Sequence, residues 1–139
     1  MRCIDAMRSV AAALEHRGHR VTLPAPWPPG VDPGSLSESA LVDRKAAFVD
    51  EHLRAIRSAD ALLVVNADAP QAPGYVGPSA LIELAFAHAV GTPSYVMHPV
   101  GPQPCRLEVL ALRPTLLDGD LDTLDGPGLR AEGAPHAVP

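Results

Sequence analysis

Five consecutive apolar residues, Ala61 to Val65, stand between Asp60 and Asn66. A strand with one wet face alternates apolar and polar side chains, whereas an unbroken apolar run fits a strand covered on both faces, as in a parallel sheet between helical layers. That stretch points to an α/β arrangement, because parallel neighbours need a long crossover, usually a helix, to bring the chain back to the same edge. The flanking sequence supplies such elements. Residues 4–17 place Met7, Val10, Ala11 and Leu14 at helical spacing, with Gly18 as C-cap. A second helix is expected over about 36–58, where Leu41, Phe48, Val49, Leu53 and Ile56 mix with charges as on a surface helix with one buried stripe. A third is expected over 79–90, with Gly91 as C-cap and Pro93 beyond it. Strands are expected at Val21–Leu23, ended by Pro24, and over 94–98. Between Pro24 and Gly34 the run PAPWPPGVDPG is expected to form only loop. Further on, RLEVLAL suits a short helix and PTLLDGDL a turn or edge strand.

The length of 139 residues leaves room for one core. The expected division is a domain over residues 1–125 and a C-terminal tail over 126–139, where GPGLRAEGAPHAVP offers almost nothing to pack and is expected to fray. A net charge of -5, with 11 Lys and Arg, leaves no basic stripe for a phosphate backbone, so a small molecule is expected as partner rather than a nucleic-acid polymer. Cys3 and Cys105 form neither a disulfide framework nor a C-x-x-C spacing, which makes a reducing cytoplasm the default setting. No apolar run approaches the roughly 20 residues of a membrane helix, so no membrane partner is expected. His16 and His19 lack further ligands at metal spacing, and neither a metal nor a cofactor is expected.

Chemistry concentrates around the third helix. In LIELAFAHAV the polar side chains are Glu83 and His88 alone, so the helix is apolar nearly all round and belongs in the interior or in an oligomer contact. A carboxylate there costs several kcal/mol unless it is paired, lies at the rim of a cleft or is kept for function. Glu83 also follows a strand end and a glycine-containing loop, the edge at which open α/β sheets bind ligands. Its structural alternative is a carboxylate held by the helix dipole or by an arginine. Asp68, just past the strand, is the candidate acid or base, or else a solvated loop carboxylate. Asn66 is a candidate for a sugar hydroxyl or base edge, or for an Asx-turn within its own loop. Tyr75 and Trp27 have the flat faces to flank a base, Trp27 serving equally as a loop anchor. Ser79 reads as an N-cap or a substrate contact, and His98 sits at a strand end where a polar group can line a pocket.

Taken together, SADALLVVN over 58–66, GYVGPSALIELAFAHAVGTPSYVMHP over 74–99 and LRPTLLDGDL over 112–121 resemble a branch of the nucleoside 2-deoxyribosyltransferase-like superfamily. Its members run Ser-Asp-Ala, four apolar residues and Asn, then a Gly-Tyr loop, then a helix of the form E-(apolar)-A-x-A-x-x-x-G-x-P. The match covers roughly residues 1–121, with Lys45 and His52 where this branch carries a Lys and a His. The resemblance implies a flavodoxin-like three-layer α/β domain with a small parallel sheet, working as a homo-oligomer. It also implies an N-glycosidase or nucleoside deoxyribosyltransferase acting on a nucleoside or nucleoside monophosphate, with Glu83 as nucleophile and Asp68 as acid or base. Asn66, Tyr75, Gly77, Ser79 and His98 are then the substrate-binding set. Two departures stand out. The family's first strand and its Gly-Ser turn, which cradles sugar or phosphate, are expected to be absent here, and His98 replaces an expected Asn. A noncatalytic nucleotide-binding domain of the same fold is the alternative.

Overall fold

A computed structural model of the chain describes residues 4–125. The elements run α1 (Ile4–His16), α2 (Glu38–Ser58), β1 (Leu62–Val64), α3 (Pro78–Val90), β2 (Ser94–Val96), α4 (Arg106–Ala111) and β3 (Thr115–Leu116), with short 3-10 turns at Pro33–Ser35 and Leu121–Asp125. The three strands form one parallel sheet in the order β1-β2-β3, with Leu62 opposite Ser94, Val64 opposite Val96 and Tyr95 opposite Thr115. Each parallel step is bridged by a helix, α3 between β1 and β2 and α4 between β2 and β3. The result is a flavodoxin-like three-layer α/β arrangement.

The lack of alternation in the β1 run has its cause in two cores. Val64 and Val96 point to one face, where Val76, Leu84, Val100 and Val109 close around them. Leu63, Tyr95, Met97 and Leu117 point to the other and meet Val10 and Leu14 of α1 and Leu124 of the last 3-10 turn. Both faces are dry, so both residue parities are apolar.

Helix boundaries follow local chemistry. Ser37 caps α2, its hydroxyl accepting from Ala40 N–H at 3.3 Å. Gly91 ends α3 in the left-handed region at φ 78°, and Thr92 N–H closes on Ala87 O at 2.9 Å. Such a stop suits glycine, which lacks the Cβ that makes this region costly. α3 opens one residue earlier than expected: Pro78 takes the first helical position, where its missing N–H is harmless, and Gly77 rather than Ser79 is the N-cap. Ser79 is therefore inside the helix, and exposed.

Two expectations are corrected. Within the run taken as pure loop, Pro33–Ser35 form a 3-10 turn, started by Asp32 accepting from Gly34 N–H at 2.9 Å. Val21–Leu23 form no strand. Val21 packs against the core beside Leu63, yet the backbone of this stretch has no hydrogen-bond partner among the described residues, and a strand without a ladder is not one. The expected fraying over 126–139 lies outside the described residues. Among those described, no helix is long and apolar enough to cross a membrane.

Candidate functional site

Glu83 is the sixth residue of α3, counted from Pro78, and so lies beyond the first turn where the helix dipole acts. Its partner is not an arginine. His52, on the apolar stripe of α2 that Phe48 and Ile56 continue at intervals of four, places Nδ1 at 2.8 Å from Glu83 Oε1. Both side chains are about one-fifth exposed, at 23% and 22%. A carboxylate can only accept, so with Glu83 ionised the ring donates through Nδ1–H. The other ring nitrogen, His52 Nε2, is buried and has no partner among the described residues. An unsatisfied buried polar atom costs about 1–3 kcal/mol.

Glu83 and His52 line a cavity of about 380 Å³, within the roughly 300–1,000 Å³ span of small-molecule pockets. Val10 and Leu14 of α1, Leu63 and Val65 at β1 and Val21 and Leu23 give it apolar walls, and His19 and Asp60 add polar groups. The cavity therefore combines apolar walls with a few polar groups, as small-molecule pockets do.

The remaining expected site residues gather elsewhere, in the loop between β1 and α3 and at the end of β2. Asn66 is 1% exposed and ties these two segments together. Its Oδ1 accepts from His98 N–H at 2.8 Å, and its Nδ2 donates to His98 O at 2.8 Å and to Gly74 O at 3.1 Å. These partners fix the orientation of the amide. Asp68 Oδ1 accepts from Gly74 N–H at 2.9 Å, while Tyr75 N–H bonds Ala67 O at 3.1 Å. Gly74 is held at φ 55°, and a Cβ there would meet Pro99 O at 2.0 Å, so only glycine fits. Gly77 caps α3 through its backbone position, and the His98 side chain is exposed. None of Asn66, Asp68, Tyr75, Gly77, Ser79 and His98 lines the cavity that holds Glu83. Trp27 packs edge-on against Phe48, with ring centroids 5.7 Å apart, and Arg44 lies over its ring at 5.9 Å. It anchors its loop to α2.

A second polar cluster joins the segment after α1 to the last 3-10 turn. Arg17 donates to Asp122 at 2.6 Å and to Asp125 at 3.1 Å, and His19 Nε2 lies 3.1 Å from Asp125 Oδ1. The His19 hydrogen bond, helped by the Arg17 charge and opposed by partial burial, holds the Asp125 carboxyl below its ordinary range. The hydrogen bond that Arg17 donates to Asp122 in turn holds its guanidinium above the ordinary value. Partners 105 or more residues apart leave no sequence signal. The His52 contact with Glu83 was half visible, as a polar residue interrupting an apolar i, i+4 stripe.

Searches against protein-family models, curated proteins and solved structures each find no match. Fold and site geometry therefore carry the functional reading, and the fold is a generic flavodoxin-like one that hosts many chemistries.

Proposed function

We propose that the protein cleaves, or transfers at, the N-glycosidic bond of a nucleoside or nucleoside monophosphate, with Glu83 as nucleophile. The observation that carries this reading is the Glu83 carboxylate on the wall of the 380 Å³ cavity, held through one oxygen by His52. Glu83 Oε2 has no partner among the described residues and is the oxygen free to react. In this reading Oε2 bonds to the anomeric carbon as the bond to the base breaks, giving a glycosyl ester on Glu83. Water as acceptor then yields hydrolysis, and a second base yields transfer. His52 orients the carboxylate. Asp68 lies outside this cavity with Oδ1 accepting from Gly74 N–H, so in this reading the leaving base takes its proton from water.

The resemblance supports the substrate class, and the apolar walls suit the flat face of a base. We also read the protein as a cytoplasmic homo-oligomer, the assembly alone being supported by Val42 on α2 (59% exposed) and Ile82 on α3 (50% exposed). Light scattering on the purified protein checks it, and a monomer at all concentrations would remove it. A noncatalytic nucleotide-binding domain is the second reading. It is favoured by Asn66 and Asp68, which spend hydrogen bonds on their own loops. It predicts binding without turnover. The deciding experiment incubates the parent and Glu83→Ala with nucleosides and nucleoside monophosphates and measures free base.

A further inference from the structure

The cavity that holds Glu83 also holds a second imidazole. His19 lines it, with its side chain 14% exposed. The end of α1 fixes where this residue stands. Gly18 turns into the left-handed region at φ 90°, its N–H bonds Glu15 O at 2.9 Å, and His19 N–H reaches back to Leu14 O at 3.1 Å. These two bonds form the double closure of a glycine-ended helix, which sets the residue after the glycine in one position.

The ring is oriented from the other side. His19 Nε2 lies 3.1 Å from Asp125 Oδ1, while Asp125 Oδ2 accepts from Arg17 at 3.1 Å, so both carboxylate oxygens are engaged. Arg17 is itself held by Asp122 at 2.6 Å. A carboxylate can only accept, so the ring donates through Nε2–H. His19 Nδ1 has no partner among the described residues and, unlike His52 Nε2, is not a buried orphan. The two imidazole–carboxylate pairs of the cavity are thus reversed. In one, His52 holds the carboxylate and Glu83 keeps an oxygen free; in the other, Asp125 holds the imidazole and a ring nitrogen stays free. A carboxylate with a free oxygen suits a nucleophile, and an oriented imidazole with a free nitrogen suits proton transfer near neutral pH. A cavity of about 380 Å³ is the size of one small-molecule ligand, so one occupant meets both pairs.

We propose that His19, through Nδ1, is the acid that protonates the leaving base, taking over that task from water. The inference rests on the Glu83 reading and adds a second catalytic residue to it, with Asp125 as a positioning residue. As the N-glycosidic bond breaks, its electron pair goes to the base, the Nδ1–H proton of the imidazolium passes to a ring nitrogen of that base, and Glu83 Oε2 bonds to the anomeric carbon. His19 is left neutral, with Nε2–H still on Asp125. When water then attacks the glycosyl ester, Nδ1 takes the water proton, hydroxide stays on the anomeric carbon and Glu83 leaves as carboxylate.

The test uses the whole protein and compares guanosine with 7-methylguanosine, each with ribose and with deoxyribose, as nucleoside and as nucleoside monophosphate. The methylated base carries its own positive charge and leaves without being protonated, so loss of an acid does not slow it. His19→Gln keeps an N–H for Asp125 and removes the donor at Nδ1. In protein shown by circular dichroism to be folded, the expected result is a fall of about 10²-fold or more in base release from guanosine and of less than about threefold from 7-methylguanosine. Asp125→Asn, which leaves His19 present but unoriented, is expected to show the same split at about tenfold, and decides alone if His19→Gln does not fold. Equal losses on both substrates, or no loss on guanosine, overturn His19 as the acid. Glu83→Gln separates the two readings, since loss of the nucleophile slows both substrates. Base release that depends on Glu83 and not on His19 leaves the nucleophile standing and overturns this proposal alone. No release by the parent, or release that Glu83→Gln leaves unchanged, overturns both.

Discussion

Replacing Asn66 by alanine separates two roles that the sequence leaves open. The amide makes three hydrogen bonds in an environment where its side chain is 1% exposed, two to the His98 backbone and one to Gly74 O. Each such bond contributes about 0.5–1.5 kcal/mol net, and the partners left unpaired raise the cost where they are buried. Gly74 O keeps a weaker bond from Gln103 Nε2 at 3.4 Å, which offsets part of the loss. The expected destabilisation is roughly 2–4 kcal/mol, or about 8–16 °C in melting temperature for a chain of this size. Thermal melts by circular dichroism, with urea titrations at fixed temperature, measure it. Asn66→Asp is expected to be no better than alanine, because it sets a second oxygen against the Gly74 and His98 carbonyls. A variant that melts within about 2 °C of the parent but no longer binds nucleoside would refute the structural role and return Asn66 to the substrate.

Further outcomes follow from the same geometry. Gly74→Ala forces a Cβ against Pro99 O and holds alanine at φ 55°, so urea titration should show a loss of about 2 kcal/mol or more. The depressed Asp125 carboxyl binds a proton more readily in the unfolded chain than in the folded one, so its contribution is complete above its ordinary value of 3.8 and is lost as pH falls through the lower folded value. Melts across acid pH should therefore show a shallower acid limb in Asp125→Asn than in the parent, and identical limbs would discount the cluster. Under the proposed self-association, replacing Val42 and Ile82 together by serine should lower the apparent mass in light scattering, and no change in mass would count against these two residues as the contact.

The elements set by short-range chemistry were legible in the sequence. The unbroken run at 61–65 gave β1 and its two covered faces, Gly18 and Gly91 marked helix ends, and the short helix and edge strand after Cys105 fell where pattern and turn residues placed them. Val21–Leu23 misled because strand propensity says only that a segment suits a ladder, and the ladder partner is a long-range fact. The site shows the same division. Glu83 stood out as a charge on an apolar helix, but its partner His52 is 31 residues away on another helix, and only packing of α2 against α3 brings them together. Asn66 and Asp68 were legible as polar residues at a strand end. Their local role, closing a loop around a glycine with no room for a Cβ, depended on how close the β1 and β2 ends come. Ser79 drew attention as a cap, and the proline just before it takes the helix start instead.

Glu83 carries the proposed chemistry, and base release combined with intact-mass analysis of the reacting protein measures its role. Parent, Glu83→Ala and Glu83→Gln, each first shown to be folded by circular dichroism, are incubated with a panel of nucleosides and nucleoside monophosphates. Free base and a transient glycosyl adduct on the Glu83 peptide are expected in the parent, with a fall in rate of about 10³-fold or more in both variants. Equal base release by the parent and the two folded variants, or an adduct on any other residue, would contradict it.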